Sequence, residues 1–115
     1  MIAGLLLLPA CAGGEPPTTQ LALAQSAVDE ATRDGAAERA PQDLISAREK
    51  LARADEAAKA ERYTDARRMA EEAEADARLA AAKSRSAAAA ATLGSLTQGN
   101  TTLQQEIRRQ QTPVR

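Results

Sequence analysis

Alanine recurs at helical spacing through most of this chain, and this repetition constrains the fold more than any other feature. Small apolar residues recur every three or four positions, which places them on one face of an α-helix. Three such rows occur: Leu21, Ala24, Val28 and Ala31; Leu44, Ala47, Leu51, Ala54 and Ala58; and Ala66, Ala70, Ala73, Ala77 and Ala80. Alanine is the strongest helix former but buries little surface. The rows therefore predict an all-α protein whose helices approach closely around a thin core.

Glycine and proline positions divide the rows into separate helices. Gly35 continues the first row and is predicted to end it, because glycine favours helix C-termini. Pro41 is predicted to open the second helix, since proline is tolerated in a first turn. The predicted helices are 19–36, 42–61 and 65 to at least 98. This pattern predicts an antiparallel helical hairpin or three-helix bundle with a long third helix.

Threonines and ion pairs support these boundaries. Thr18 or Thr19 is predicted to cap the first helix and Thr64 the third. Tyr63 would pack over the turn as a hydrophobic staple, and the alternative is a tyrosine that stacks on a ligand. Three acid-first i,i+4 pairs are predicted on exposed faces. They are Glu49–Arg53, Asp55–Lys59 and Glu74–Arg78.

The third predicted helix is longer than its partners. It would reach about 50 Å, and the second helix only about 30 Å. Its far end carries a further row: Leu93, Leu96, Asn100, Leu103 and Ile107. An Asn in an apolar heptad row fixes register and oligomer state in coiled coils, so this row is a candidate self-association surface. The alternative is that Gly99-Asn100 ends the helix with a left-handed cap and a short separate helix follows.

The N-terminal stretch has a different character. The apolar run from Ile2 to Leu8 is too short for a membrane span, which needs about 20 apolar residues. A core strand would have no second strand to pair with, whereas a short apolar run before small residues is typical of a secretory signal. The stretch Leu8-Pro9-Ala10-Cys11 resembles the bacterial lipobox. That resemblance implies a lipoprotein signal peptide over 1–10 and lipid attachment at Cys11; the alternative is a free buried thiol.

The remaining divisions follow from composition. Two Gly and two Pro make residues 11–18 a flexible tether. The alanine-rich helical domain is predicted over 19–110 and a frayed tail over 111–115. In lipoproteins generally, Asp after the lipidated cysteine favours inner-membrane retention, and here Ala12 follows. The resemblance thus implies a protein of the bacterial cell envelope, anchored in the outer membrane and facing the periplasm.

Composition argues against several classes of function. The chain has no His, one Cys and a net charge of -1, which leaves no imidazole base, no histidine metal ligand and no basic footprint for nucleic acid. Its carboxylates lie among Lys and Arg at helical spacing. We therefore expect no catalytic residues, no metal, no small-molecule substrate and no cofactor other than a covalent lipid on Cys11.

Two longer motifs resemble a known family. They are A-P-x-D-L-x-x-A-R-x-K-L-x-x-A from Ala40 to Ala54, and A-x-x-x-E-R-Y-x-x-A-R-x-x-A-E-x-A from Ala57 to Ala73, followed by A-D-A-R-L-A. They are similar to the alanine-rich bacterial lipoproteins of domain-of-unknown-function family 4398, with a resemblance over roughly 19–110. Members of that family commonly have Gly before the Tyr turn, where Glu61 or Arg62 stands here. The resemblance implies a helical envelope lipoprotein.

Two functions are compatible with these features. The first is a structural or adaptor lipoprotein, held in the membrane by its lipid and offering its helices to an envelope protein partner or to a second copy. The alternative is a soluble helical module that binds a membrane surface or a small ligand. The mixture of acidic and basic residues on the exposed faces favours the first, because membrane-surface helices carry a basic polar face.

Overall fold

The computed structural model describes residues 14–112. Helix α1 is Thr18–Arg33, the short α2 is Ala36–Arg39, α3 is Pro41–Lys59 and α4 is Tyr63–Gln111. No strand occurs in the described range. The predicted all-α class is therefore confirmed there, and the predicted long third helix is α4. The predicted signal peptide lies outside the described residues.

Helix α3 packs antiparallel against the first half of α4. Lys50 and Asp76 form an ion pair at 2.7 Å, and Asp43 at the start of α3 meets Lys83 farther along α4 at 2.8 Å. As the residue number in α3 falls from 50 to 43, the number of its partner in α4 rises from 76 to 83, as an antiparallel hairpin requires. They therefore fix the level of α3 beside α4.

Helix α1 runs parallel to α4 on another side of it. Near the start of α4, Arg67 donates to the backbone carbonyl of Glu15 at 3.3 Å. Farther along α4, Arg85 pairs with Glu30 near the end of α1 at 3.1 Å. Helices α1 and α3 each pack more extensively against α4 than against each other. The first half of α4 is therefore the central element of a three-helix bundle.

The bundle core consists almost wholly of alanine. Among the described residues, fourteen of the seventeen buried apolar side chains are alanine, and the other three are Val28, Leu44 and Leu51. All five alanines of the third predicted row are 0 % exposed. The second row differs at its end, where Ala57 is buried and Ala58 is only half-buried. Small side chains let the helices approach closely, as the alanine spacing predicts.

The chain turns sharply between α1 and α2 at Asp34 and Gly35. Gly35 has a φ of +78°, and an added Cβ would lie 2.5 Å from Nη1 of Arg39. Only glycine adopts this left-handed conformation at little cost. Arg39 donates to the Asp34 carbonyl at 3.2 Å, and Ser84 of α4 donates to the same oxygen. Gly35 therefore follows the end of α1 as predicted, although α1 stops before residue 36 and the unforeseen α2 follows.

The turn between α3 and α4 contains a strained residue. Glu61 has a φ of +58°, and its N–H donates to the carbonyl of Ala58 while that of Arg62 donates to Ala57. These two bonds form a Schellman motif, in which glycine normally occupies the left-handed position. Glu61 thus holds a left-handed conformation that glycine would adopt more easily, at a cost of about 1 kcal/mol.

The predicted caps are wrong, by one residue at Thr18 and by two residues at Thr64. Helix α1 begins at Thr18 after Pro17, and α4 begins at Tyr63 after Arg62, with no side-chain hydrogen bond at either N-cap. Thr18 and Thr64 therefore lie inside first turns. Tyr63 is the first helical residue and does not precede the cap, so the staple prediction is also wrong. Pro17 is fully buried, which places the end of the predicted tether against the bundle.

The predicted surface pairs are formed in two cases of three. Glu49 and Arg53 lie 3.6 Å apart, and Glu74 and Arg78 lie 2.5 Å apart. Within the described residues, Asp55 and Lys59 do not come within ion-pair distance, so that prediction is wrong. Exposed pairs of this kind contribute little to stability, about 0.3–0.5 kcal/mol each.

Asp76 is the acidic residue that joins α3 to α4. Its Oδ2 accepts hydrogen bonds from Lys50 and from Ser46, both at 2.7 Å. The Lys50 hydrogen bond is the main reason that the pKa of Asp76 lies below its ordinary value. Partial burial opposes this shift, and the Ser46 hydroxyl reinforces it. The carboxylate is therefore held in its charged form in the folded protein.

We expect Asp76→Asn to make stability less dependent on pH. With its folded pKa lowered, Asp76 stabilises the fold above about pH 4 and loses this contribution as pH falls through that pKa. Urea unfolding followed by circular dichroism at pH 7 and pH 3 should show a larger loss for the wild type, by up to about 1 kcal/mol. Lys50→Gln removes the main donor and should resemble Asp76→Asn. Equal losses in all three proteins would contradict this assignment.

Candidate interaction surface on the last helix

The residues predicted to direct lipidation lie outside the described part of the chain. These are Leu8, Pro9, Ala10 and Cys11. The residues predicted for self-association all lie on α4, beyond the bundle. Ser84 is the last fully buried residue of α4. We call residues 86–111, which continue from there to the end of the helix, the free half.

Helix α4 continues without interruption through Gly99 and Asn100. Among the described residues, Gly35 and Glu61 are the ones with positive φ, so neither Gly99 nor Asn100 forms a left-handed cap. The alternative of a helix end followed by a short separate helix is therefore wrong. At 49 residues, α4 is about 73 Å long, and its free half accounts for about 39 Å.

The free half carries the predicted row on one face, exposed to solvent. Leu93 is 66 % exposed, Leu96 and Leu103 are each 62 % exposed and Ile107 is 53 % exposed. Asn100 lies within the row and is also exposed. Single exposed apolar residues are normal on protein surfaces, whereas a contiguous row marks a candidate interaction surface. The structure thus places the five predicted residues together along one helix, with no other described element covering them.

The charge of α4 changes where the bundle ends. Residues 86–105 contain no Asp, Glu, Lys or Arg, whereas the bundle surface is covered by ion pairs such as Arg68–Glu72 at 2.9 Å. Charged side chains are the usual solvent-facing residues of an isolated helix. Twenty residues without one, nineteen of them exposed, therefore distinguish the free half from the rest of the surface.

The hydroxyl groups of the free half are largely satisfied within the helix. Five of them donate to the carbonyl four residues earlier, at 2.9–3.1 Å. The donors are Thr92, Ser95, Thr97, Thr101 and Thr102. Such bonds slightly weaken a helix and use the hydroxyl proton that would otherwise bind water or a ligand. They make this uncharged surface less polar than its composition suggests.

A shallow groove of about 390 Å³ lies between α1 and α3. Val28, Leu51 and Ala52 contribute its apolar part, and Asp29 and Arg48 are among its polar residues. Ligand pockets are usually lined predominantly by apolar and aromatic side chains, and the lining here is mixed. The groove is therefore a weaker candidate for binding than the free half.

Residues 14–112 offer neither a membrane-spanning helix nor a cluster of metal ligands. No helix in that range is long and apolar enough to cross a membrane. No group of three or more acidic or Cys side chains in the same range is placed to hold a metal ion. The free half is thus the most distinctive surface of the described structure.

The fold and this surface define a class of protein: a small alanine-packed helical bundle from which one helix extends with no charged residue over 86–105. The family described as a domain of unknown function (DUF4398) matches residues 19–96. This is more than half of the chain, and the chain belongs to that family. The membership of domain-of-unknown-function family 4398 that the sequence motifs indicate is therefore confirmed over the matched residues. The match covers the bundle and ends within the free half, before Asn100.

Comparison with other known proteins adds no relative to this family assignment. No curated protein matches the chain, and no solved structure matches it. The self-association row was recognised from spacing alone. Two features of the same surface were missed, the absence of charge over 86–105 and the internally bonded hydroxyls. The first could have been read from the sequence, whereas the second required the helix to be continuous.

Proposed function

We propose that the protein is a non-enzymatic lipoprotein of the bacterial cell envelope, anchored by a lipid on Cys11 in the outer membrane and facing the periplasm. Its bundle acts as a structural or adaptor module that holds the free half away from the membrane. The observation that carries this proposal is the opposite placement of the two ends of the described structure. The anchor-side end and the free half lie at different ends of the bundle.

The contacts of α1 establish this placement. Residues 14–17 connect the bundle to the predicted anchor, and the Glu15 carbonyl accepts a hydrogen bond from Arg67, near the start of α4. The other end of α1 meets α4 at Arg85, just before the free half begins. From Arg67 to Gln111, α4 extends about 66 Å at 1.5 Å per residue. A lipid on Cys11 would therefore leave the free half at the membrane-distal end.

The chemistry of the bundle supports a role that does not include catalysis. Its cross-helix polar contacts are ion pairs and hydrogen bonds that join helices, such as Asp76 with Lys50 and Arg48 with the Thr32 hydroxyl at 3.0 Å. Such contacts position the helices relative to one another. A rigid module with a distal surface is suited to bringing a partner to a fixed distance from the membrane.

Cys11→Ser should abolish acylation. In the native host the wild-type protein should incorporate radiolabelled palmitate, and its intact mass should correspond to a chain that begins at Cys11 and carries lipid. The variant should show only background label. Each buried CH₂ of an acyl chain contributes about 0.8 kcal/mol to membrane affinity, so the acylated protein should be recovered almost wholly with membranes.

Gly14→Ser is the matched control for this experiment. It changes the same predicted tether at a position where an added Cβ meets nothing within 4 Å, and it leaves the thiol in place. It should be labelled as strongly as the wild type. A wild-type protein that still begins at Met1 with an unmodified thiol would contradict the proposed anchor.

A further inference from the structure

We propose that the free half binds a second copy of this chain, forming a parallel, in-register two-stranded coiled coil along the row from Leu93 to Ile107. The partner is inferred from the heptad pattern, the charge and the helix propensity of this segment. This goes beyond the proposed function by naming the occupant of the distal surface and its orientation. Only the argument from orientation rests on the proposed anchor.

The exposed row fits a two-stranded seam. In heptad notation Leu93, Asn100 and Ile107 take a positions, and Leu96 and Leu103 take d positions. Leu at d combined with a single Asn at a is typical of parallel dimers. The Asn side-chain amide both donates and accepts hydrogen bonds, so it can pair with the same amide of a second copy. The row is therefore complementary to itself.

The flanking positions permit this pairing. They are Thr92, Gly99 and Glu106 at g, and Thr97, Gln104 and Gln111 at e. In a parallel pair, g of one chain faces the following e of the other, so Glu106 would meet Gln111 and no like charges would meet. Like charges therefore do not face each other across the seam, and the residues that border it are uncharged except Glu106.

The free half also needs a second surface to be a stable helix. Eight of the eleven residues from 92 to 102 are Gly, Ser, Thr or Asn, all weaker helix formers than alanine. These residues are exposed and have no other described element against them. Most helical stability in proteins comes from tertiary packing rather than from propensity. A second copy would supply the packing that this segment lacks within one chain.

The orientation agrees with the proposed anchor. Two copies anchored through their N-terminal ends in one membrane would both extend the free half in the same direction. A parallel seam satisfies both anchors at once and aligns Asn100 with Asn100. Anchoring would also raise the local concentration of the chains and favour a pair that is weak in dilute solution.

Disulfide trapping tests the seam and its register. In the full chain carrying Cys11→Ser, Leu103→Cys places a thiol at a d position, and Gln105→Cys places one at the outward f position two residues away. Disulfides require Cα atoms about 4.4–6.8 Å apart. Under mild oxidation the first variant should form a covalent dimer at least about tenfold faster than the second, because the d positions of a parallel, in-register pair face each other and the f positions point away from the seam. Equal rates, or no dimer from either, would overturn the proposal.

Sedimentation equilibrium of the Cys11→Ser chain supplies an independent measurement. Leu96→Ser with Leu103→Ser should raise the dimer dissociation constant by about a hundredfold or more, since two apolar side chains of each copy lose their burial in the seam. The matched control, Gln98→Ser with Gln105→Ser, changes two outward f positions and should leave the constant within about threefold. Association that persists in the leucine variant, for instance through residues 1–10, would contradict the proposed seam.

The two proposals fail separately. Both association experiments use a chain without Cys11, so they report on the seam whether or not the native protein is acylated. Palmitate labelling in the native host reports on the anchor whether or not the protein dimerises. An antiparallel pair would appear as a dimer by sedimentation that Leu103→Cys does not trap, and that outcome would overturn the parallel register.

Discussion

Leu44→Ala should lower the free energy of unfolding by about 2–5 kcal/mol. Leu44 is 1 % exposed and is among the largest fully buried side chains of the described structure. It projects from α3 into a core whose other members are mostly alanine. Removing its side chain creates a cavity that short neighbours cannot fill. Small domains are typically stable by only about 5–15 kcal/mol, so this single change would remove a large share of the total.

Ile45→Ala is the matched control for Leu44→Ala. Ile45 is the next residue of the same helix and is 48 % exposed. The control removes a side chain of the same size but should cost no more than about 1 kcal/mol, because much of that side chain is already in contact with water. Urea unfolding followed by helix circular dichroism measures both. Similar losses in the two variants would show that Leu44 does not occupy a packed core.

Ala77→Leu should destabilise the bundle by about 1–3 kcal/mol or more, although it adds apolar surface. Ala77 is 0 % exposed and lies on the face of α4 that α1 and α3 cover. Close approach of the helices depends on the small volume of these alanines. A leucine would force the helices apart and weaken the neighbouring contacts along the same face.

Ala82→Leu tests whether this cost arises from crowding. Ala82 lies five residues farther along the same helix and is exposed, so its replacement should change the free energy of unfolding by less than about 0.5 kcal/mol. Thermal or urea unfolding of the two variants provides the comparison. If Ala77→Leu were as stable as Ala82→Leu, the alanine face would not be closely packed.

Both predictions follow from a thin core. Burial stabilises by about 25 cal/mol per Å² of apolar surface, and an alanine contributes little area. The few larger side chains therefore carry a disproportionate share of the hydrophobic stabilisation. The alanines contribute mainly by permitting close packing and by favouring the helical conformation. This explains why the fold should be destabilised both when the buried Leu44 is made smaller and when the buried Ala77 is made larger.

Periodicity identified the helices well and their ends less well. Pro41 opens α3 and Gly35 follows α1, as their backbone preferences predict. The caps at Thr18 and Thr64 were wrong because α1 begins one residue, and α4 two residues, before the position that those caps require. A hydroxyl near a helix start is a local signal, but where the first turn forms also depends on packing. The burial of Pro17 is one such contact, and it is not visible in the sequence pattern.

The sequence identified the residues of the candidate surface. It did not show whether the helix that carries them is continuous or whether they are exposed. The row from Leu93 to Ile107 is a helical pattern whether or not the helix is continuous. Gly99-Asn100 is compatible with a left-handed cap or with a helix interior, since both residues adopt either conformation. Only the structure decided between them. It also showed that neither α1 nor α3 extends as far along α4 as this row, which leaves the row exposed.

The sequence by itself determined the all-α class, the alanine faces, the breaks around Gly35 and Pro41, and the absence of charge over 86–105. These properties depend on local spacing and composition. The tertiary structure decided the parallel course of α1 along α4, the left-handed Glu61 and the point where the bundle ends. That point depends on contacts such as the one between Asp34 and Ser84, fifty residues apart. A helical period of 3.6 residues predicts which face of a helix is buried, but not which helix covers it or how far.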